Sequence, residues 1–275
     1  MARTYPVQSF AQPWSSRGEG PRARIGVVVS HGFTGNPCSV RPYGEALAAR
    51  GFRVEVPRLP GHGTNVRDMA RTRYDDWRGE IAAARDRLAK ECDAVVLAGL
   101  SMGGTIVLDL AGAEPKRIAG AVAINALLLE REGLVAKLAP YLALVIPAVP
   151  ASAAALVEND VAKPGADEHA YAWVPTRAAN SLIDALPRVR TQLRGCPLPL
   201  LVAFSPQDHS VSPASSQAVP GLVGKSGNVT MLPLERSYHV ATLDYDLELL
   251  VERSASFADA AATKSQHGTD GTAQA

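Results

Sequence analysis

The amino-acid sequence predicts an α/β fold with a mostly parallel central sheet and helices on both faces. Short apolar runs alternate with stretches of helical spacing, as where Ile25–Val29 precedes the helical pattern at 40–50. A second observation is the tight, glycine-flanked turn Gly99-Leu-Ser-Met-Gly103, which follows one apolar run and precedes a helical pattern. Alternating strands and helices are typical of a parallel sheet buried on both faces, where ligands bind at the carboxyl ends of the strands.

The individual elements follow from apolar runs and from helical spacing. Strands are predicted at residues 25–29, 52–56, 94–99, 118–124, 198–204 and 229–232. Helices are predicted at residues 40–50, 74–91, 104–112 and 245–257. The helix at 74–91 is indicated by Trp77, Ile81 and Leu88, which recur at intervals of three to four residues along one face.

Composition excludes several classes of protein. The 275 residues carry a net charge of +1 without a basic stripe, so a nucleic-acid partner is not expected. The three cysteines are too far apart for a disulfide framework or a zinc site, and we predict no metal and no cofactor. Residues 1–20 lack the apolar core of a secretory signal, and prolines and Lys137 interrupt the apolar stretch 133–157. We therefore expect a cytoplasmic protein.

The alternation of strands and helices is interrupted once. We predict an α/β core at residues 1–125 and 185–253, a helical cap inserted at 126–184 and a disordered tail at 254–275. The apolar part of the cap must bury against something, so we expect Leu142 and Ile146 to contact an apolar substrate. The alternative is that this segment adds one more packing layer.

Ser101 is the candidate nucleophile because a serine on a strand-to-helix turn is held in strained backbone geometry with its oxygen exposed. A serine hydroxyl needs a base, and the base needs a third group to orient it. On this topology the acid and the histidine follow the serine in that order, on loops after later strands. Asp208 follows the strand at 198–204 and His239 follows the strand at 229–232.

Other histidines and acids are less suited to these roles. His209 is adjacent to Asp208, and neighbours on one loop rarely pair productively. His31 and His62 lie in glycine-rich turns, where an imidazole more often bonds the backbone. Asp244 and Asp246 lie at the start of the last predicted helix, where carboxylates interact favourably with the helix dipole.

The negative charge of a tetrahedral intermediate needs two preorganised donors. One is the backbone N–H of Met102, the residue after the nucleophile. The second is expected from the loop after the first central strand, where the N–H of Phe33 has the right position in Ser30-His-Gly-Phe-Thr-Gly35. The alternative is that this loop is an ordinary glycine-rich turn.

Several separate motifs, in the same order, resemble bacterial carboxylesterases and monoacylglycerol lipases of the α/β-hydrolase superfamily. They are His31-Gly-Phe-Thr-Gly-Asn36, Pro60-Gly-His-Gly63, Asp75-Asp-Trp77, Gly99-Leu-Ser-Met-Gly-Gly104, Pro175-Thr176 and Tyr238-His-Val240. The resemblance implies a cap of modest size, catalytic roles for Ser101, Asp208 and His239, and oxyanion roles for Phe33 and Met102. It also implies hydrolysis of short- and medium-chain esters, with monoacylglycerols as a candidate physiological class.

Two departures from the family pattern matter. His209-Ser210 follows Asp208, where relatives usually have an acidic or small residue, and the cap is unusually rich in alanine and proline. The second departure leaves the acyl-chain preference open. The leading hypothesis is a cofactor-free serine esterase acting on a small ester or lipid, with transient lipid-surface contact through the cap. Alternatives are a thioesterase, lysophospholipase or acyltransferase with the same triad, a carbon–carbon bond hydrolase, or a ligand-binding protein without turnover. The oligomeric state is not predicted.

Overall fold

The fold is built around one large sheet. The computed structural model describes residues 4–130, 143, 145–154, 157–224 and 228–270. Its strands are β1 (Trp14–Ser16), β2 (Ile25–Ser30), β3 (Arg53–Val56), β4 (Ala94–Leu100), β5 (Gly120–Ile124), β6 (Ala148–Pro150), β7 (Trp173–Pro175), β8 (Pro199–Phe204) and β9 (Asn228–Pro233). Within the described residues, seven of these strands form the sheet in the order β1-β3-β2-β4-β5-β8-β9.

Helices connect and cover the strands. They are α1 (Arg41–Ala49), α2 (Val66–Met69), α3 (Tyr74–Leu88), α4 (Met102–Ala113), α5 (Thr176–Leu193), α6 (Ala214–Gln217), α7 (Val219–Val223) and α8 (Leu247–Asp270). The predicted α/β architecture is confirmed, with element ends that shift by a few residues. Strand β1 was not predicted from the sequence, because its three residues are too few to show a pattern.

The strand register brings the carboxyl ends of the central strands together. Within the seven-stranded sheet, each neighbouring pair in the order β3-β2-β4-β5-β8-β9 is parallel, and the edge strand β1 runs antiparallel to β3. Ser30 pairs with Gly99, and Leu100 pairs with Ile124. The loops that follow β2, β4 and β5 therefore all leave the sheet at the carboxyl ends of its strands, which is where ligands bind in parallel α/β sheets.

Two apolar layers cover the faces of the sheet. Strand β4 is buried along its whole length and sends Leu97 to one layer and Val96 to the other. The first layer contains α3, α4 and α5, and the second contains α1 and α8. This double burial explains why β4 is a continuous apolar run instead of an alternating one.

An insertion separates β5 from α5. Within it, β6 and β7 pair as a small antiparallel sheet in which Pro150 lies opposite Trp173. The predicted end of the cap at residue 184 is wrong, because α5 already begins at Thr176 and buries Ala178 and Leu182 in the core layer that contains α4. Residues 176–184 are therefore part of a core helix.

The prediction of a disordered tail from residue 254 is also wrong for residues 254–270, because helix α8 continues to Asp270. Four alanines at successive intervals of three, three and one residues are buried on one face of it: Ala255, Ala258, Ala261 and Ala262. Phe257 packs on Gly120 of β5, where an added Cβ would lie 2.8 Å from the ring. Small side chains let this helix lie close to the sheet, although they make the segment look weakly apolar in sequence.

Candidate active site

The turn between β4 and α4 holds Ser101 in a strained conformation. Its φ of 56° and ψ of −119° are rare for a residue with a side chain. The flanking glycines make the turn possible. A Cβ on Gly99 would lie 2.3 Å from the Gly103 backbone, and one on Gly103 would lie 2.5 Å from the Ser30 carbonyl oxygen. Only glycine fits at these two positions, so Gly99 and Gly103 are what allow the chain to form this turn.

The loop after β2 lies directly against Ser101. A Cβ on Gly32 would be 3.2 Å from the Cβ of Ser101. Phe33, the next residue, packs edge-on against Trp77 with ring centroids 5.7 Å apart. Within the described part of the chain, the backbone N–H groups of Phe33 and Met102 donate to no other residue. Two unpaired donors thus belong to the two segments that meet at Ser101.

Asp208 and His239 form a buried pair at the ends of β8 and β9. The Asp208 Oδ2 lies 2.7 Å from His239 Nδ1, and the two side chains are 1% and 11% exposed. The other Asp208 oxygen accepts the N–H groups of Ser210 and Val211 at 2.8 and 2.7 Å. These bonds orient the carboxylate, and its bond to Nδ1 leaves Nε2 of the imidazole as the atom that can exchange a proton with a substrate.

Charge around His239 favours its protonated form. Burial alone would lower the pKa of the imidazole, but the surrounding carboxylates, Asp208 foremost, together outweigh burial and raise the pKa above its usual value. The carboxylates of Glu168 and Asp160 act in the same direction. An imidazole with this environment is a stronger base toward a hydroxyl proton.

Asn125 joins the strand ends on which these side chains depend, and the sequence analysis missed it. The residue follows β5 and has a left-handed φ of 46°. Its Nδ2 donates to the His239 carbonyl at 2.7 Å, and its Oδ1 accepts the N–H of Ser205 at 2.7 Å. The signal in the sequence was a polar residue at the carboxyl end of a fully apolar strand that neighbours β4, the strand before Ser101.

Glu168, from the insertion, was also missed. Asn36 of the loop after β2 donates to the carbonyls of Glu168 and His169 at 3.1 and 3.0 Å. The Glu168 carboxylate lies 3.8 Å from the position of a Cβ on Gly35, and burial raises its pKa although His239 lowers it. No periodic pattern in its surroundings marks this acid in the sequence.

The remaining histidines have other partners. His31 Nε2 accepts the N–H of Leu59 at 3.2 Å, and His62 Nδ1 lies 3.0 Å from the carbonyl of Pro60. Burial lowers the pKa of both, that of His31 to about 4, so both rings are neutral. His209 is bonded to Asp160 and not to its neighbour Asp208.

Comparison with known proteins identifies the family. Residues 21–246 match the Hydrolase_4 family, described as serine aminopeptidase S33. The chain belongs to this family. It is 36% identical over 267 residues to the thermostable monoacylglycerol lipase of Bacillus sp. (strain H-257), covering 94% of this chain and 98% of that one. It is 25% identical over 226 residues to the carboxylesterase of Bacillus subtilis (strain 168), covering 82% of this chain and 88% of that one.

The fold of this hydrolase is similar to solved structures of the same superfamily. A structure from the work on LipS and LipT, two metagenome-derived lipolytic enzymes, has a TM-score of 0.82 and 37% identity, covering 92% of this chain and 99% of that one. The resemblance to carboxylesterases and monoacylglycerol lipases is therefore confirmed, and so is the α/β-hydrolase fold. This chain is a serine hydrolase of the lipase and esterase type.

The predicted cap contacts of this hydrolase are only partly described. Leu142 lies outside the described residues. Ile146 is 36% exposed, and its carbonyl accepts a hydrogen bond from the hydroxyl of Thr176 at the start of α5. Contact of either side chain with an acyl group stays a prediction.

The described ranges of the chain contain no group of three or more His, Cys, Asp or Glu side chains able to hold a metal ion. None of the helices in these ranges combines the length and the apolar character that crossing a membrane requires. The cellular location stays a prediction.

Proposed function

We propose that this hydrolase cleaves carboxylic esters of short and medium acyl chains, monoacylglycerols among them, through an acyl-enzyme on Ser101. The observation that carries the proposal is the bond between Asp208 and His239 on the loops expected from the strand order, at the sheet edge where the strained Ser101 turn lies. The family match supports the same chemistry.

The proposed reaction has two stages, formation of the acyl-enzyme and its hydrolysis. Ser101 Oγ attacks the ester carbonyl carbon while His239 Nε2 takes the hydroxyl proton. The N–H groups of Phe33 and Met102 stabilise the oxyanion, and removal of one such donor typically costs about 2.7–4 kcal/mol of transition-state stabilisation. His239 then returns the proton to the leaving alcohol oxygen, and the carbon–oxygen bond of the ester breaks. Water, deprotonated by His239, releases the acid by the same steps in reverse order.

Glu168 favours an uncharged alcohol group that carries hydroxyls. Its carboxylate is close to the loop of Phe33 and acts on the pKa of His239, so it belongs to the wall around the reacting centre. A carboxylate accepts hydrogen bonds from hydroxyl groups and repels phosphate. This supports the glycerol group of a monoacylglycerol over the headgroup of a lysophospholipid. The relative from Bacillus sp. (strain H-257), named a monoacylglycerol lipase, supports the same substrate class.

Exposed apolar side chains on the insertion support a transient contact with lipid surfaces. Val145 is 78% exposed and Trp173 of β7 is 50% exposed. Side chains of this kind enter the interface of a lipid aggregate, where a tryptophan is particularly stable. We therefore expect the rate on a monoacylglycerol to rise when the substrate forms micelles.

A labelling experiment tests the proposed triad. An active-site fluorophosphonate should label the wild type stoichiometrically, and Ser101→Ala should neither be labelled nor hydrolyse p-nitrophenyl butyrate. His239→Ala should be inactive, while His209→Ala, the matched loss of the neighbouring imidazole, should retain most activity. Activity that survives Ser101→Ala, or the reverse order of the two histidines, would contradict the assignment. A panel of monoacylglycerols, lysophospholipids and acyl-thioesters of graded length then decides the substrate class.

A further inference from the structure

One buried acidic residue of the insertion contacts both loops that carry the proposed acid and base, one with its carboxylate and the other with its backbone carbonyl. Asp160 lies between β6 and β7 and is 3% exposed. Its Oδ2 accepts the backbone N–H of His209 at 3.0 Å, and its Oδ1 lies 2.8 Å from Nδ1 of the same residue. Its own carbonyl accepts the N–H of Val240 at 3.0 Å. His209 follows Asp208 and Val240 follows His239, so Asp160 is bonded to the next residue after each member of the pair.

We propose that Asp160 is a positioning residue: from outside the α/β core, it keeps the loops of Asp208 and His239 in the relative position that their hydrogen bond requires. The inference rests on the triad proposed above. The Asp208 carboxylate is oriented by two N–H groups of its own turn, so the position of that turn decides where its Oδ2 lies relative to His239. The carboxylate of Asp160 fixes the turn through the backbone N–H of His209. The backbone carbonyl of Asp160 bonds the opposite loop at Val240, and this bond is retained when only the side chain is replaced.

The segment that carries Asp160 is itself attached to the core close to His239. Asp244, which precedes α8, accepts the N–H groups of Ala162 and Lys163 at 2.7 and 3.0 Å. The same carboxylate accepts the N–H of Tyr238 at 2.9 Å. Asp160 therefore acts from a defined position, because the residues that follow it are bonded to the acid that also holds the loop of His239.

The charge of Asp160 adds to this positional role. Burial lowers the pKa of His239, and three carboxylates raise it: Asp208 from the loop after β8, and Glu168 and Asp160 from the insertion. Esterase activity needs His239 neutral as a base, so kcat/KM rises with pH through its pKa. Loss of the negative charge of Asp160 lowers that pKa and moves the acid limb of the profile to lower pH.

The test compares Asp160→Asn, Asp160→Ala and Asp167→Asn on p-nitrophenyl butyrate. The asparagine retains an acceptor for the His209 N–H but loses the charge, whereas the alanine loses both. Asp167→Asn is the matched control, because it neutralises an exposed acid of the same segment whose carboxylate bonds the N–H of His169. A displacement of 1 Å at a reacting group costs about 100-fold in rate, so we expect Asp160→Ala to lower kcat by roughly 10- to 100-fold.

The expected pattern is specific to positioning. Asp160→Asn should lower kcat less than Asp160→Ala, leave KM near the wild-type value and move the acid limb to lower pH, while Asp167→Asn matches the wild type in all three. Wild-type kcat and an unmoved acid limb in Asp160→Asn and Asp160→Ala would overturn the proposal. A loss confined to KM would also overturn it, since it would indicate a substrate contact.

Two further variants keep the result interpretable. If Asp160→Ala does not fold, Asp160→Asn decides the question, with its thermal melting compared with that of the wild type. Ser101→Ala is assayed in parallel. Activity in Ser101→Ala would mean that the triad itself is wrong, whereas an inactive Ser101→Ala with unchanged Asp160 variants would mean that only the positioning role is wrong.

Discussion

At the scale of single residues, two neighbouring strands end in strained backbone that serves the site. Ser101 after β4 and Asn125 after β5 both have positive φ, which costs of order 1–3 kcal/mol at each such residue. The N–H of Ser101 bonds the carbonyl of Ile124 at 2.8 Å, so the two turns support each other. We infer that this local cost is retained because it places Ser101, the proposed nucleophile, beside the residue that anchors the His239 loop.

Replacing Asn125 should separate the contribution of its left-handed backbone from that of its side-chain hydrogen bonds. Asn125→Gly accepts the left-handed φ but leaves the Ser205 N–H and the His239 carbonyl without a partner, each at a cost of about 1–3 kcal/mol. Asn125→Ala adds a further 1–2 kcal/mol or so for the left-handed conformation. We therefore expect urea unfolding to rank the wild type above glycine and glycine above alanine. Because both variants free the His239 backbone, kcat should fall by roughly tenfold in each. A glycine variant with wild-type kcat would show that the amide does not hold His239 in place.

The candidate catalytic residues can be predicted from the sequence where strand order determines their positions. Ser101, Asp208 and His239 were proposed because each follows a buried strand, and the described structure does bond the last two to each other. Asp160 and Glu168 lie in a segment without periodicity, and their partners come from loops distant in sequence. Their contacts are a product of how the insertion folds back onto the core, which no local pattern encodes.

At the scale of elements, the last helix shows how composition can mislead. Its alanines suggest little apolar surface, yet spacing by three and four residues places them on one face toward the sheet. The same argument applies to α5, whose buried positions Ala178, Leu182 and Leu186 have helical spacing and mark it as a core helix instead of the end of the cap. In both cases the periodicity was a better guide than the residue types.

Truncation tests the role of α8. A chain ending at Arg253 loses four buried alanine methyl groups, at about 0.8 kcal/mol each, together with the packing of Phe257 on Gly120. We expect its free energy of unfolding to fall by about 3–5 kcal/mol. A chain ending at Ser265 removes none of these contacts and should unfold with the wild type in the same urea titration. Equal midpoints for the two truncations would contradict a packing role for this helix.

At the scale of the whole molecule, the parallel strand order determines where the candidate site lies. The register that pairs Ser30 with Gly99 and Leu100 with Ile124 brings the loops after β2, β4 and β5 to one edge. Alternating apolar patterns are sufficient to predict that arrangement, and the family match confirms the fold that results. The insertion is different, because its position depends on single polar contacts such as those of Asp160 and Asp244.

Beneath the site, two buried histidines make the stability of the whole molecule depend on pH. The rings of His31 and His62 lie 5.0 Å apart, and burial lowers the pKa of each, that of His31 to about 4. In the unfolded chain a histidine titrates near 6.5, so between the two values the unfolded state binds more protons. The contribution of His31 is therefore present above about pH 6.5 and lost as the pH falls toward about 4, a change of roughly 3 kcal/mol.

The prediction is tested by urea unfolding of the wild type and His31→Gln across this pH range. The carboxylates titrate in both proteins, so the difference between the two curves isolates the histidine. We expect the wild type to lose more stability on acidification than the variant, because glutamine takes up no proton on unfolding. Parallel curves would mean that His31 does not resist protonation in the folded state. The predicted loss of unfolding free energy on acidification could then not be assigned to the burial of this ring.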